Sequence, residues 1–312
     1  MANAGLAETT DHFTARKVRV IANPGSGRNS RDKEAIDAAL DVFGAETELV
    51  RWDPKEDIAE LVRRLIDDGA DLIVSAGGDG TTMAIAGAMV GTGVPMGALP
   101  LGTFNYFARG LGLSEEPEEA ARQILKGAPH AIRVGMVNGQ VFLNNASLGI
   151  YPSILRERET VYKRWGRLRL MAHWSVAKTF FRFQRPMHLE IDADGKKTTQ
   201  RTALVFVSRS AFQLERFGLE GEPAISHDAF AVLVANAESR LDLFKLSWRL
   251  VMRTVRSGRD YDVIEAKTLD IATRRRKALL AFDGEKRLEE SPFNFRMSDE
   301  DLLIMIPEEG PA

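Results

Sequence analysis

A carboxylate set among glycines, in Gly77-Gly78-Asp79-Gly80-Thr81, is the group in this chain best placed to do chemistry. It follows the apolar run Leu72-Ile73-Val74-Ser75-Ala76 and precedes Thr82-Met83-Ala84-Ile85-Ala86, which reads as strand, turn, helix. Glycines let the backbone pass close to a bulky anion, and the helix start offers unpaired N–H groups and a positive dipole end to phosphate. Phosphates repel a bare carboxylate, so Asp79 is expected to work through Mg²⁺ or through a proton. Thr81 can cap the helix or touch a phosphate, and the two roles are compatible.

Two further turns keep this one company. Asn23-Pro24-Gly25-Ser26-Gly27-Arg28 follows the strand Val18-Arg19-Val20-Ile21-Ala22, and Leu101-Gly102-Thr103-Phe104-Asn105 follows Met96-Gly97-Ala98-Leu99-Pro100. The first lacks the Gly-Lys-Ser/Thr ending of a P-loop and the three-glycine dinucleotide fingerprint, so alone it also reads as an ordinary strand-to-helix loop. Far along the chain, Asp283-Gly284-Glu285 lies between Ala278–Phe282 and Lys286–Leu288. Asp-Gly there is a hairpin turn signal, yet such a turn can carry chemistry: phosphoryl transfer benefits from a carboxylate that orients the attacking hydroxyl and accepts its proton. Glu285, two positions on, can share a strand face with Asp283, either as a partner for Mg²⁺ or to hold Asp283 in register.

The elements that must position these residues fall into two patterns. From Lys17 to about His130 strands alternate with helices; Ile58, Leu61, Val62, Leu65 and Ile66 recur at helical spacing until Gly69. Short apolar strands in such alternation predict an α/β lobe with a parallel sheet covered on both faces, its ligands at the carboxyl ends of the strands. After about Ile132 the pattern becomes antiparallel. Asn138-Gly139 lies between Val134–Val137 and Val141–Asn145, and Asp194-Gly195 lies between Met187–Ile191 and Thr202–Val207. Strands are also expected at Ala229–Ala235, Tyr261–Ala272, Ala278–Asp283 and Phe293–Met297, giving an antiparallel β-sandwich-like C-terminal lobe with inserted helices at about 152–183 and 239–257. The expected division is a nucleotide-binding α/β domain over 17–132 and a β-rich substrate domain over 133–299. The run Leu302–Ile306 either caps the second lobe or, as part of 300–308, returns to the first.

Composition narrows the classes. A net charge of −2 over 312 residues makes no electrostatic case for nucleic acid, and none is expected as a partner. The absence of cysteine excludes disulfides and thiolate metal sites and is compatible with a cytoplasmic setting. Met1 to Arg16 reads as a short polar lead with no apolar region of a signal peptide, and no run approaches the about 18 apolar residues that span a bilayer. The five histidines have no metal-ligand spacing, and no Gly-x-Ser-x-Gly elbow supports hydrolase chemistry.

The ordered set of Asn-Pro-x-Ser-Gly, Gly-Gly-Asp-Gly-Thr and Leu-Gly-Thr-x-Asn-x-Phe-Ala resembles the diacylglycerol kinase catalytic domain of bacterial lipid kinases and of sphingosine and ceramide kinases. The resemblance continues through Phe142-Leu143-Asn144-Asn145-Ala146-Ser147-Leu148-Gly149 and Phe282-Asp283-Gly284-Glu285, so it covers nearly the whole length. It implies a first lobe like that of NAD kinases and phosphofructokinases, and transfer of the γ-phosphoryl group of ATP, with Mg²⁺, to a hydroxyl of a membrane lipid. Carried over residue by residue, it implies nucleotide contacts at Asn23, Pro24, Ser26, Gly27, Arg28, Gly77, Gly78, Asp79, Gly80, Thr81, Gly102, Thr103 and Asn105. Asp283 becomes the base, with Asp79 and Glu285 beside it. Glu285 and Asp228 are the candidate metal ligands, although Ala229 stands where relatives have glycine after the aspartate. Tyr106 is a second departure, since several relatives carry aspartate there.

The segment 156–185 gathers nine arginines and lysines against Glu157 and Glu159, interleaved with Trp165, Trp174, Phe180, Phe181 and Phe183. That mixture suits either a peripheral contact with an anionic bilayer or a helix packing its aromatics inward. Phe244-Lys245-Leu246-Ser247-Trp248-Arg249 repeats the theme on a second helix. The alternatives to a lipid kinase are a soluble-acceptor kinase of NAD-kinase type, weakened because Ala146 stands where NAD kinases place glutamate after asparagine, and a noncatalytic lipid or nucleotide sensor. Self-association as a homo-oligomer stays open, as does the identity of the acceptor among diacylglycerol, phosphatidylglycerol, a sphingoid base and ceramide.

Overall fold

The computed structural model describes residues 17–23, 30–53, 55–150 and 186–308. The turn residues Pro24, Ser26, Gly27 and Arg28 and the basic segment 156–185 therefore lie outside the described residues.

The first half alternates as its hydrophobic pattern requires: β1 (Val18–Ala22), α1 (Ser30–Phe43), β2 (Glu48–Arg51), α2 (Ile58–Asp67), β3 (Leu72–Gly77), α3 (Asp79–Met89), β4 (Met96–Pro100), α4 (Tyr106–Gly110), α5 (Pro117–Lys126) and β5 (Ala128–Ile132). Every residue of β3 and β4 is buried, the condition in which strands read as continuous apolar runs rather than alternating ones. β2, β1, β3 and β4 pair in parallel in that order. α2 shows why such helices start where they do: Asp57 accepts a hydrogen bond from the Ala59 N–H, and Leu61, Val62 and Leu65 face the core.

The second half is antiparallel: β6 (Gly135–Val137), β7 (Gln140–Phe142), β8 (Asn145–Gly149), β9 (Met187–Ala193), β10 (Lys196–Thr202), β11 (Leu204–Ser208), α6 (Ala211–Phe217), α7 (Glu222–Ser226), β12 (Phe230–Ala235), α8 (Arg240–Val251), β13 (Tyr261–Ala266), β14 (Leu269–Thr273), β15 (Lys277–Phe282), β16 (Glu285–Glu290) and β17 (Phe293–Met297). One sheet runs β10-β9-β14-β17-β6-β7 and another β13-β12-β11-β8-β15-β16. Phe142 and Phe295 of the first meet Phe230 of the second with ring centroids 5.9 to 6.3 Å apart, so aromatic packing joins the sheets. The last strand, β18 (Leu302–Ile306), enters the parallel sheet, beside β4 in parallel and β5 in antiparallel sense.

Two expected strands are divided by side chains that redirect the chain. Thr202–Val207 separates at Thr202, whose hydroxyl donates to the Ala235 carbonyl at 2.7 Å; the preceding polar run Lys196–Thr202, unread as a strand, is the partner of β9. Tyr261–Ala272 separates at Lys267-Thr268, where the Asp194 carboxylate accepts both backbone N–H groups at 2.8 to 3.1 Å and the chain leaves one sheet for the other. That contact holds the Asp194 carboxyl below its usual range against the opposing effect of burial, which is the largest single influence.

Three hairpins share one turn chemistry. Asn138-Gly139, Asp194-Gly195 and Asp283-Gly284 all have positive φ at both residues, the two-residue turn that matches strand twist.

Candidate active site

β1, β3 and β4, the strands that precede the three segments predicted to handle phosphate, are neighbours in one sheet. The second and third segments are in backbone contact. A Cβ on Gly102 would lie 2.5 Å from the Gly78 Cα and 2.7 Å from Asn105 Oδ1, closer than any side chain can sit. Asn105, at φ 50°, closes the third turn on itself: its Oδ1 accepts from the Gly102 N–H at 2.8 Å and its Nδ2 donates to the Gly102 carbonyl at 3.1 Å. Asn105 thus shapes the turn, while Thr103 stands exposed beside it.

α3 begins at Asp79 with Gly78 as its cap, and a glycine has no side chain with which to bond the first amides. The helix leaves its N-terminal donors to an outside acceptor. Thr81 is buried and packed against Gly77, where an added Cβ would meet the threonine Cβ at 2.7 Å. Its Oγ1 accepts from Asn23 Nδ2 at 2.7 Å, which ties the end of β1 to the start of α3.

Asp79, at the start of α3, and Asp283, in the turn between β15 and β16, lie near enough for the charge of one to act on the other. Asp79 Oδ1 accepts the Phe107 N–H at 3.1 Å, and burial raises its carboxyl above the ordinary range despite that bond. Asp283, at φ 45°, turns its carboxylate back onto the segment between β7 and β8. There Oδ2 accepts the Leu143 N–H at 2.5 Å, and Oδ1 accepts those of Asn144 and Asn145 at 2.9 and 3.0 Å. Full burial pushes the Asp283 carboxyl up to about 6; the three amides pull it down, and the negative charge of Asp79 adds to the rise.

Asn144 joins the two. Its backbone serves Asp283 while its side-chain Nδ2 points to Asp79 Oδ1 at 3.5 Å, and its buried Oδ1 has no hydrogen-bond partner. Glu285, exposed at the start of β16, leans over the central turn, with Oε1 3.2 Å from where a Gly80 Cβ would be. Asn145 Nδ2 donates to Gln213 Oε1 at 2.9 Å, fastening the same segment to α6.

Asn144 and Gln213 carry structural weight that the sequence reading assigned to neither. The doubled asparagine was the available signal for Asn144; Gln213 had none, because its short helix was not anticipated. Tyr106, where an aspartate was expected, stacks on Phe104 with parallel rings 5.4 Å apart and touches Phe217. Burial raises its hydroxyl pKa, and the charge of Asp79 adds to the rise.

Asp228 stands elsewhere. Arg209 donates to its Oδ1 at 3.0 Å and Arg133 lies 3.6 Å from Oδ2, so two guanidinium groups already balance this carboxylate. The open cavity beside it, about 690 Å³, shares no lining residue with the Asp79–Asp283 cluster. Among the described residues no three His, Asp or Glu side chains gather closely enough to hold a metal ion by themselves.

Residues 17–137 match the family model of the diacylglycerol kinase catalytic domain. The chain is 30% identical over 190 residues to a diacylglycerol kinase of Bacillus subtilis (strain 168), covering 58% of this chain and 61% of that protein. It is 27% identical over 152 residues to a diacylglycerol kinase of Staphylococcus aureus (strain MRSA252), covering 47% and 48%. The matches thus span about half to three fifths of these relatives. A crystal structure of a diacylglycerol kinase from Bacillus anthracis str. Sterne superposes with a TM-score of 0.70 at 19% identity, covering 95% of this chain and 99% of that one, a likeness of fold. The likeness to the diacylglycerol kinase catalytic domain family therefore lies in residues 17–137.

Proposed function

We propose that the protein is a lipid kinase, transferring the γ-phosphoryl group of ATP to a lipid hydroxyl between the parallel sheet and the antiparallel sheets. The observation that carries this reading is the confrontation of a bare glycine cradle at the start of α3 with a buried carboxylate whose pKa is about 6. One suits a polyphosphate and the other a hydroxyl proton.

The residues present fit a magnesium nucleotide. Gly78 and Gly102 leave no room for side chains and keep backbone exposed, and Asp79, Glu285 and the unpartnered Asn144 Oδ1 are oxygen donors of the kind hard cations take. Asp79 and Glu285 would hold such an ion beside the phosphates. Bound there, it would neutralise charge on the transferring group.

The chain's own side chains do the rest. Asp79 lies at the phosphate end of the cleft, held by Phe107 and approached by Asn144. Asp283 receives the proton of the acceptor hydroxyl: Oδ2 carries one amide where Oδ1 carries two, so Oδ2 keeps more capacity for a further bond. A base titrating near neutrality combines availability with driving force. No helix among the described residues is long and apolar enough to cross a membrane.

The reading is tested by supplying labelled ATP with Mg²⁺ to the protein, offering a mixed lipid extract and NAD in parallel, and identifying the labelled product by mass. Phosphorylated lipid is expected. Label appearing in NAD and in no lipid would overturn the proposal.

A further inference from the structure

We propose that the outer face of α8 docks the protein onto an anionic phospholipid bilayer; this rests on the lipid-kinase reading above for its purpose, though not for its geometry. At about 100° per residue, Leu241, Phe244, Trp248, Val251 and Met252 fall on one arc of the helix and its end. All five are exposed, at 70%, 64%, 60%, 78% and 55%. The opposite side is already used. Leu243 is buried, and Leu246 packs with it against Ile150, Ala203 and Ala235 on one flank and against Tyr261 and Val255 on the other. The helix is therefore apolar on two sides, and among the described residues only one side is packed.

A stripe of this size is a costly surface for water, and its charges indicate what covers it. Between residues 240 and 256 there are five cations, Arg240, Lys245, Arg249, Arg253 and Arg256, against the single carboxylate Asp242, and of the five Arg249 is taken up by the buried Asp260. That carboxylate is committed to the helix start, where it accepts the Ser239 N–H and hydroxyl at 3.0 and 2.7 Å in a capping box. Arg240 lies along one border of the arc and Lys245 along the other. Aromatic and aliphatic side chains edged by cations match the acyl boundary and headgroup layer of a negatively charged leaflet, with the helix lying in the interface plane. Long basic side chains reach headgroups while their stems cover the apolar strip.

The test is flotation of the full-length protein with vesicles of phosphatidylcholine alone or mixed equally with phosphatidylglycerol, without nucleotide or acceptor. Wild-type protein should float with the mixed vesicles, less so at high salt. The double variant Phe244→Ser, Trp248→Ser should bind at least about tenfold more weakly. Both positions are exposed, so its thermal unfolding should match wild type. Its transfer to a short-chain acceptor dissolved as monomers should also match. Equal flotation of variant and wild type, or wild-type binding that ignores phosphatidylglycerol, would overturn the proposal. So would a wild-type dimer in solution that the variant breaks while vesicle binding stays, because a second copy would then cover the stripe. Vesicle binding by a protein that phosphorylates no lipid would instead remove the lipid-kinase reading and leave the docking face standing.

Discussion

The negative charge of Asp79, at the start of α3, raises the proton affinity of Asp283, at the tip of the β15–β16 hairpin. The two are more than two hundred positions apart in the sequence, so the charge state at the start of α3 bears directly on a carboxyl that another part of the chain supplies. Asn144 stands between them and bonds to both. Neutralising Asp79, by a cation or by substitution, lowers the Asp283 pKa, and Asp79→Asn is expected to shift the acidic limb of the rate profile to lower pH.

Stability should report Asp283 as well. Its folded pKa, about 6, lies above the ordinary 3.8, so the stabilisation that comes from protonation is full below pH 3.8 and is lost as pH rises through about 6. The loss is about 3 kcal/mol by the size of the shift. Asp283→Asn lacks this dependence, but its amide cannot accept from both Leu143 and the other two N–H groups, which costs about 1–3 kcal/mol at every pH. Chemical denaturation of both proteins from pH 4 to pH 8 should show the wild-type advantage largest at low pH and shrinking towards pH 7.

The meeting of Gly78 and Gly102 makes a graded prediction. A Cβ at Gly102 collides with backbone at 2.5 Å, which no rotamer relieves, whereas one at Gly78 meets the Gly102 Cα at 3.2 Å. Gly102→Ala should therefore destabilise the protein by about 1–3 kcal/mol and impair ATP binding more than Gly78→Ala does. Unfolding curves and nucleotide titrations of the two variants check the order.

Asp228 distinguishes an ion pair from a metal site. With Arg209 and Arg133 on its carboxylate, a chelator should leave the melting temperature of the protein unchanged. Asp228→Asn should cost no more than about 1 kcal/mol, since this carboxylate is half-exposed and screened. A fall in melting temperature with chelator that Asp228→Asn abolishes would support a metal at Asp228.

Much of the parallel half was legible because its strands are buried on both faces and its turns must be glycine. The Gly-Gly-Asp-Gly-Thr turn, the Asp-Gly hairpins and the periodic α2 are local signals, and local signals survive in sequence. What was not legible is set by distant contacts. Nothing in Lys196-Lys197-Thr198-Thr199-Gln200-Arg201-Thr202 marks it as a strand, because only pairing with β9 makes it one. The break at Lys267-Thr268 depends on Asp194, more than seventy residues away. At the site, Asp283 could be read from its turn, but that its carboxylate gathers three amides around Asn144 depends on β8 pairing with β15.

The most direct test of the account is the rate of phosphoryl transfer from ATP to a short-chain diacylglycerol by wild type and by Asp283→Asn, with ATP affinity measured on the same proteins. Loss of the base predicts a rate lower by about 10²–10⁴ with ATP still bound at wild-type strength. Undiminished transfer by Asp283→Asn, in protein shown to be folded, would contradict the role of Asp283 and with it the assignment of the cleft.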